Sequence, residues 1–186
     1  MTESLFQTAG LADEAPRPLA DRLRPAALAD VIGQDHILGP EGLVGRMLAT
    51  GRLASLVFWG PPGCGKTTIA RLLAGAAGLH FTALSAVFSG VADLRKVFAE
   101  AESRREAGRG TMLFVDEIHR FNRAQQDGFL PWVENGTVVL VGATTENPSF
   151  ELNAALLSRA QVMVLRRLDE EGLETLLERA QARFSA

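Results

Sequence analysis

Gly60-Pro61-Pro62-Gly63-Cys64-Gly65-Lys66-Thr67 puts three glycines, a lysine and a hydroxyl into eight residues. The spacing fits G-x-x-x-x-G-K-[ST], a turn whose backbone N–H groups converge on phosphate oxygens. Glycines let the backbone fold inward tightly. Lys66 is suited to the β and γ phosphates and the Thr67 hydroxyl to Mg²⁺. Thr68 continues into a helix-like stretch, whose N-terminus would aim further amides at the same anion. Cys64 stands near that helix start, a place where a thiol can be reactive. No base or metal partner is evident beside it, and it reads as a small filler.

A second set of chemistry-bearing residues closes the run Met112-Leu113-Phe114-Val115-Asp116-Glu117. A buried strand delivering two acids at its carboxyl end puts them where ligands bind in open α/β sheets. Asp116 suits Mg²⁺, usually through water, and Glu117 suits a base that polarises an attacking water. The competing reading is a strand that ends in solvated acids. His119 follows closely, but His36, His80 and His119 share no metal-ligand spacing. His119 reads as a local hydrogen-bonding or interface residue. Thr145 and Asn147, after the apolar run Val138–Gly142, can reach a γ phosphate or its water. A plain polar turn before Pro148 is the alternative.

These residues need a scaffold that brings strand ends together. Apolar runs predict strands at 56–59, 81–86, 111–115, 137–142 and 161–165. Helical periodicity predicts helices over 66–76, 91–105, 123–134 and 151–157. The alternation implies right-handed parallel crossovers and a three-layer α/β domain. Upstream, residues 1–18 read as a loose arm, and 28–34 as short helix and turn. Gly42–Leu53 can form a helix with Leu43, Met47 and Leu48 on one face. Residues 169–183 form an amphipathic helix with Leu173, Leu176, Leu177 and Ala180 at helical spacing. That helix either opens a further domain or packs back on the core.

Composition is that of an ordinary soluble chain of 186 residues, 47% apolar and 22% charged. A net charge of −3 excludes a generally basic nucleic-acid coat but not a local basic face. Basicity comes from 17 Arg and 2 Lys, so Lys66 is a placed residue. A single cysteine permits no intrachain disulfide and fits a reducing compartment. No run has the length of a membrane span. A cytoplasmic location is expected.

In this order the elements resemble the AAA+ ATPases. Closer still, the chain is similar to the amino-terminal ATPase module of the replication-associated recombination family (RarA or MgsA), whose eukaryotic counterpart is the Werner helicase-interacting protein. The resemblance runs from Pro18 to about Ala182. Its marks include Pro18–Pro25, Val31–His36, Phe58–Thr67, Leu84–Val87, Asp116–Asn122, Gly142–Phe150 and Leu156–Arg159. It implies a five-stranded parallel sheet of order 5-1-4-3-2, with Gly60, Pro61, Pro62, Gly63, Cys64, Gly65, Lys66, Thr67 and Thr68 around ATP and Thr67 and Asp116 toward Mg²⁺. It implies Glu117 as base, Thr145 as sensor, and Ile32, Gly33 and Gln34 on the adenine side with Leu19 and Arg24 close by. Arg159 is implied as an arginine finger given to a neighbouring subunit; a solvated or salt-bridged arginine is the competing reading.

The family resemblance further implies DNA-stimulated ATP hydrolysis at forks, gaps and ends, limited unwinding of duplex ends, a tetramer, and contact with single-stranded DNA-binding protein. It places the helical lid, a second sensor arginine and the tetramer-building region beyond residue 186. Residues 19–168 are then the nucleotide-binding domain and 169–186 the first lid helix, and the chain alone is expected to be monomeric and weakly active. Arg95, Arg104, Arg105, Arg109, Arg120 and Arg123 are the local supply for phosphate contacts to DNA. Phe88 is a candidate for base stacking, although a phenylalanine in such a loop is more often a core residue. A clamp-loader-like or branch-migration motor subunit and a nucleotide-gated binding module are the competing functions.

Overall fold

Five apolar runs become five strands: β1 Leu56–Trp59, β2 His80–Ser85, β3 Thr111–Asp116, β4 Val138–Thr144 and β5 Gln161–Val164. All pairings are parallel, in the spatial order β2-β3-β4-β1-β5, which is the expected order read from the other edge. The computed structural model describes residues 22–184. The expected arm at 1–18 and the candidate Leu19 lie outside the described residues.

Alternation along each strand divides the side chains between two cores. Leu56, Phe58, Met112, Phe114, Val141 and Ala143 face one side. There they meet Ile69, Leu73 and Ala74 of α3 (Lys66–Ala76), together with residues from α1 (Asp35–Leu38) and α2 (Leu43–Ala49). Val57, Leu113, Val115 and Leu140 face the other side. They meet Leu94, Val97, Phe98 and Ala101 of α4 (Val91–Glu106) and Phe129 between α5 (Arg123–Asp127) and α6 (Leu130–Glu134). Helices on both faces explain why β3 and β4 are almost continuously apolar. Phe58 and Phe114, almost fully buried, each contribute about 1.5–3 kcal/mol of burial.

Two expected helices divide. The span 123–134 breaks at Gly128–Phe129 into α5 and α6, with Pro131 at the start of the second. Proline has no N–H to continue a helix but is tolerated in a first turn. The span 151–157 is instead α7 (Pro148–Glu151) and α8 (Ala154–Leu157). Asn147 accepts from Ser149 N at 3.0 Å and Asn153 from Leu156 N at 2.8 Å, so each asparagine caps its own short helix. In α2 the fully buried residue is Val44, while Leu43, Met47 and Leu48 pack against the same core half-buried.

The last helix, α9 (Glu170–Phe184), is capped by Asp169, whose Oδ1 accepts from Gly172 N at 2.9 Å. One edge packs back on the body: Gly172 lies against Ile32 and Leu168, Ala180 is buried, and Arg179 donates to Asp30 O at 2.7 Å. The other edge leaves Leu173 and Leu177 48% and 62% exposed. No helix among the described residues is long and apolar enough to cross a membrane.

Candidate active site

Sheet register brings the chemistry-bearing ends together. Trp59 of β1 stands opposite Thr144 of β4, and Gly60 N donates to Thr144 O at 3.2 Å. Val115 of β3 stands opposite Gly142 of β4. The loops after β1, β3 and β4 therefore open at one edge of the sheet, as the crevice rule for parallel sheets expects. They line a single cavity of about 770 Å³. Pro62 through Thr68 form one wall, and Asp116, Glu117 and Thr145 stand in the same cavity.

The wall is built by backbone geometry. Gly63 and Gly65 have φ of +79° and +94°, conformations that side chains with a Cβ rarely adopt. The first bond of α3 runs from Ile69 N to Gly65 O at 2.8 Å. The amides of Lys66, Thr67 and Thr68 thus have no acceptor inside the helix, and no side chain caps them. Free donors at the positive end of a helix dipole suit phosphate. Lys66 is 8% exposed, and its ammonium donates to Gly60 O at 2.8 Å and Pro61 O at 2.9 Å. Cys64 is buried in the apolar cluster with Ile69 and Leu165, in keeping with a small filler. Thr67 and Asp116 offer hard oxygen donors to one cavity. That set fits Mg²⁺, which takes one or two protein ligands and completes its shell from phosphates and water.

Glu117 has φ +52°, the one described non-glycine residue with positive φ. Such strain persists only when neighbours enforce it. Here Ile118, fully buried, begins a short 3₁₀ turn, Ile118–Arg120, and packs on Gly142. A Cβ at Gly142 would come within 2.8 Å of Ile118 Cδ1. The turn brings His119 Nε2 to 3.3 Å from Glu117 Oε2. The other ring nitrogen, Nδ1, is 2.9 Å from the hydroxyl of Thr144, which is fully buried.

Not every expected residue reaches the cavity. Arg24 and Ile32 line it, whereas Gly33 and Gln34 do not. Gln34 is 1% exposed and clamps Arg166 at both backbone atoms, donating to its O at 2.8 Å and accepting from its N at 3.1 Å. Gly60 and Pro61 contribute the carbonyls that hold Lys66 rather than lining. Asn147 caps α7. Arg159 lies outside the cavity and pairs with Glu134. Leu168, Leu176 and Arg179 line the cavity without having been expected there. For Leu176 the signal was available in the apolar stripe of α9.

Among the candidate DNA-contacting residues, Arg104 pairs with Glu100 and Arg105 donates to Thr137 Oγ1 at 3.0 Å. Phe88 is 89% exposed and so is no part of the core. Arg95, Arg109, Arg120 and Arg123 are exposed.

A sequence model of the family "ATPase family associated with various cellular activities (AAA)" matches residues 56–168. The chain is 53% identical over 165 residues to the Replication-associated recombination protein A of Coxiella burnetii, covering 89% of this chain and 37% of that relative. It is 48% identical to the ATPase WRNIP1 of Dictyostelium discoideum, covering 87% of this chain and 18% of that one. Among solved structures, the Thermotoga maritima RuvB Holliday junction branch migration motor superposes with a TM-score of 0.74 at 29% identity, over 88% of this chain and 55% of that chain. The chain thus spans well under half the length of the curated relatives it matches.

Proposed function

The chain belongs to the AAA family of ATPases, and from that premise we propose that its site hydrolyses ATP to ADP and phosphate. The whole protein would use that hydrolysis to act on DNA at forks, gaps and ends. The observation that carries the reading is the shared cavity, which sets the amide-rich turn around Lys66 against Asp116 and Glu117. The free amides at the start of α3 and Lys66 bind and orient the phosphates. Mg²⁺, held at Thr67 and Asp116, would neutralise charge on the transferring phosphoryl group. Glu117 takes a proton from the attacking water, and Thr145 orients that water or the γ phosphate from the end of β4.

Arg159 stands outside its own chain's cavity, which supports a role in a neighbour's site within a homo-oligomer. Similarity to the recombination protein relatives supports DNA and single-stranded DNA-binding protein as partners of the whole protein, with a tetramer as its assembly. It also supports a first lid helix in α9, with the remaining lid supplied by further chain. The exposed Phe88, Arg120 and Arg123 then offer a stacking surface and phosphate contacts to single-stranded DNA.

A second reading, a branch-migration motor, is favoured by the RuvB likeness. Turnover by the whole protein on a panel of forks, gaps, blunt duplexes and four-way junctions separates the two. Stimulation by forks and gapped or single-stranded ends supports the first reading. Stimulation confined to four-way junctions supports the second. Turnover indifferent to every DNA contradicts both.

A further inference from the structure

We infer that His119 is a positioning residue that holds the Glu117 carboxylate and ties it to the β4 end carrying Thr145. The inference rests on Glu117 being the base proposed above. The observation is a continuous run of polar contacts. His119 Nε2 lies 3.3 Å from Glu117 Oε2, and its Nδ1 lies 2.9 Å from Thr144 Oγ1. Thr144 Oγ1 in turn accepts from Glu146 N at 3.0 Å. The His119 side chain is 8% exposed and Thr144 is fully buried, so water does not readily replace these partners.

Donor and acceptor counting gives the run a direction. Thr144 Oγ1 receives the Glu146 N–H, and its own hydroxyl hydrogen has two acceptors in reach, His119 Nδ1 at 2.9 Å and Glu146 O at 3.3 Å, the shorter contact being to His119. Nδ1 then accepts, which leaves the single N–H of a neutral imidazole on Nε2, facing the carboxylate. Glu146 N closes the turn around Thr145, so a shift of Thr145 against a γ phosphate moves the hydroxyl that His119 reads. The strained backbone of Glu117, at φ +52°, makes the link matter: a ring nitrogen 3.3 Å from Oε2 favours one placement of the carboxylate.

The test compares H119A, H119Q, T144V, T144S and E117Q in the full-length protein, reading kcat, KM for ATP, nucleotide affinity and melting temperature. His119→Ala is expected to lower kcat about tenfold, a part of the ~10²–10⁴ that a general base contributes, with KM and affinity unchanged. His119→Gln keeps an N–H near the Nε2 position and recovers most of the loss. Thr144→Val reproduces the His119→Ala loss and Thr144→Ser does not. The H119A/T144V double variant is no worse than either single one, because both break the same link. Unchanged kcat in H119A, additive losses in the double variant, or a loss that appears in KM while kcat holds overturns the inference. If E117Q turns over ATP normally, the assignment of the base fails, and this inference falls with it. If E117Q is inactive while H119A is normal, only the positioning role fails.

Discussion

Arg159 and Glu134 hold each other at the surface, with Nε and Nη2 of the guanidinium both 2.5 Å from Oε1 of the carboxylate. The remaining nitrogen, Nη1, donates to Ala155 O at 2.7 Å and Ser158 Oγ at 3.0 Å. The two side chains are 37% and 49% exposed, so the pair contributes only about 0–1 kcal/mol. A guanidinium held this weakly can be exchanged to a phosphate without a large cost. Arg159→Ala is expected to leave ATP affinity within about threefold and to lower turnover of the assembled protein by roughly 10³-fold or more, the scale of a lost arginine finger. Mixing R159A with K66A protomers then restores part of the activity, because intact sites form between an R159A turn and a K66A finger. A mixture as inactive as its parts contradicts a finger acting between subunits.

Gly142 is a second point of leverage. A methyl group there would lie 2.8 Å from Cδ1 and 3.1 Å from Cγ2 of Ile118, which is fully buried. Overpacking of this kind costs about 1–3 kcal/mol. Gly142→Ala is expected to lower the unfolding free energy obtained from urea titration by that amount and to reduce kcat by shifting the turn that carries Glu117 and His119. Unchanged stability together with unchanged kcat contradicts the close packing described.

Gln126 joins three segments. It is 2% exposed, donates to Phe121 O at 2.9 Å and Glu151 O at 3.1 Å, and accepts from Asn153 N at 2.8 Å. Gln126→Ala leaves those backbone groups without a partner and is expected to cost about 2–3 kcal/mol in urea unfolding. Because the bonds brace α7 and α8, the same variant is expected to lower oligomer-dependent turnover more than ATP affinity.

Phe88 projects from the loop between β2 and α4 and is 89% exposed. Phe88→Ala is expected to leave melting temperature and DNA-free turnover unchanged. Its affinity for single-stranded DNA falls by about 1–3 kcal/mol, the scale of one lost stacking contact. Equal DNA binding by the variant, measured at fixed salt, removes Phe88 from the DNA face.

The architecture was legible where a local signal coincided with the global demand. β1 and α3 begin and end where the apolar run and the glycine-rich turn predict. Asp116 and Glu117 enter the cavity because a buried strand can end in acids only at its edge. Helix breaks were less legible. The apolar period continues through 123–134, and only the missing N–H of Pro131 and the capping side chains of Asn147 and Asn153 divide the segments. Long-range polar pairs were not legible at all. Gln34 meets Arg166 across 132 residues, and no spacing rule predicts which buried amide finds which backbone. His119 reads from sequence as a local hydrogen-bonding or interface residue; it does hydrogen-bond, but its partner Thr144 is 25 residues away at the end of β4.

The account turns most on Glu117. In the full-length protein, Glu117→Gln should keep Mg-ATP affinity within about threefold by calorimetry. Its turnover should fall at least ~10²-fold, as loss of a general base requires. A Glu117→Gln protein that hydrolyses ATP at the unaltered rate contradicts the central claim.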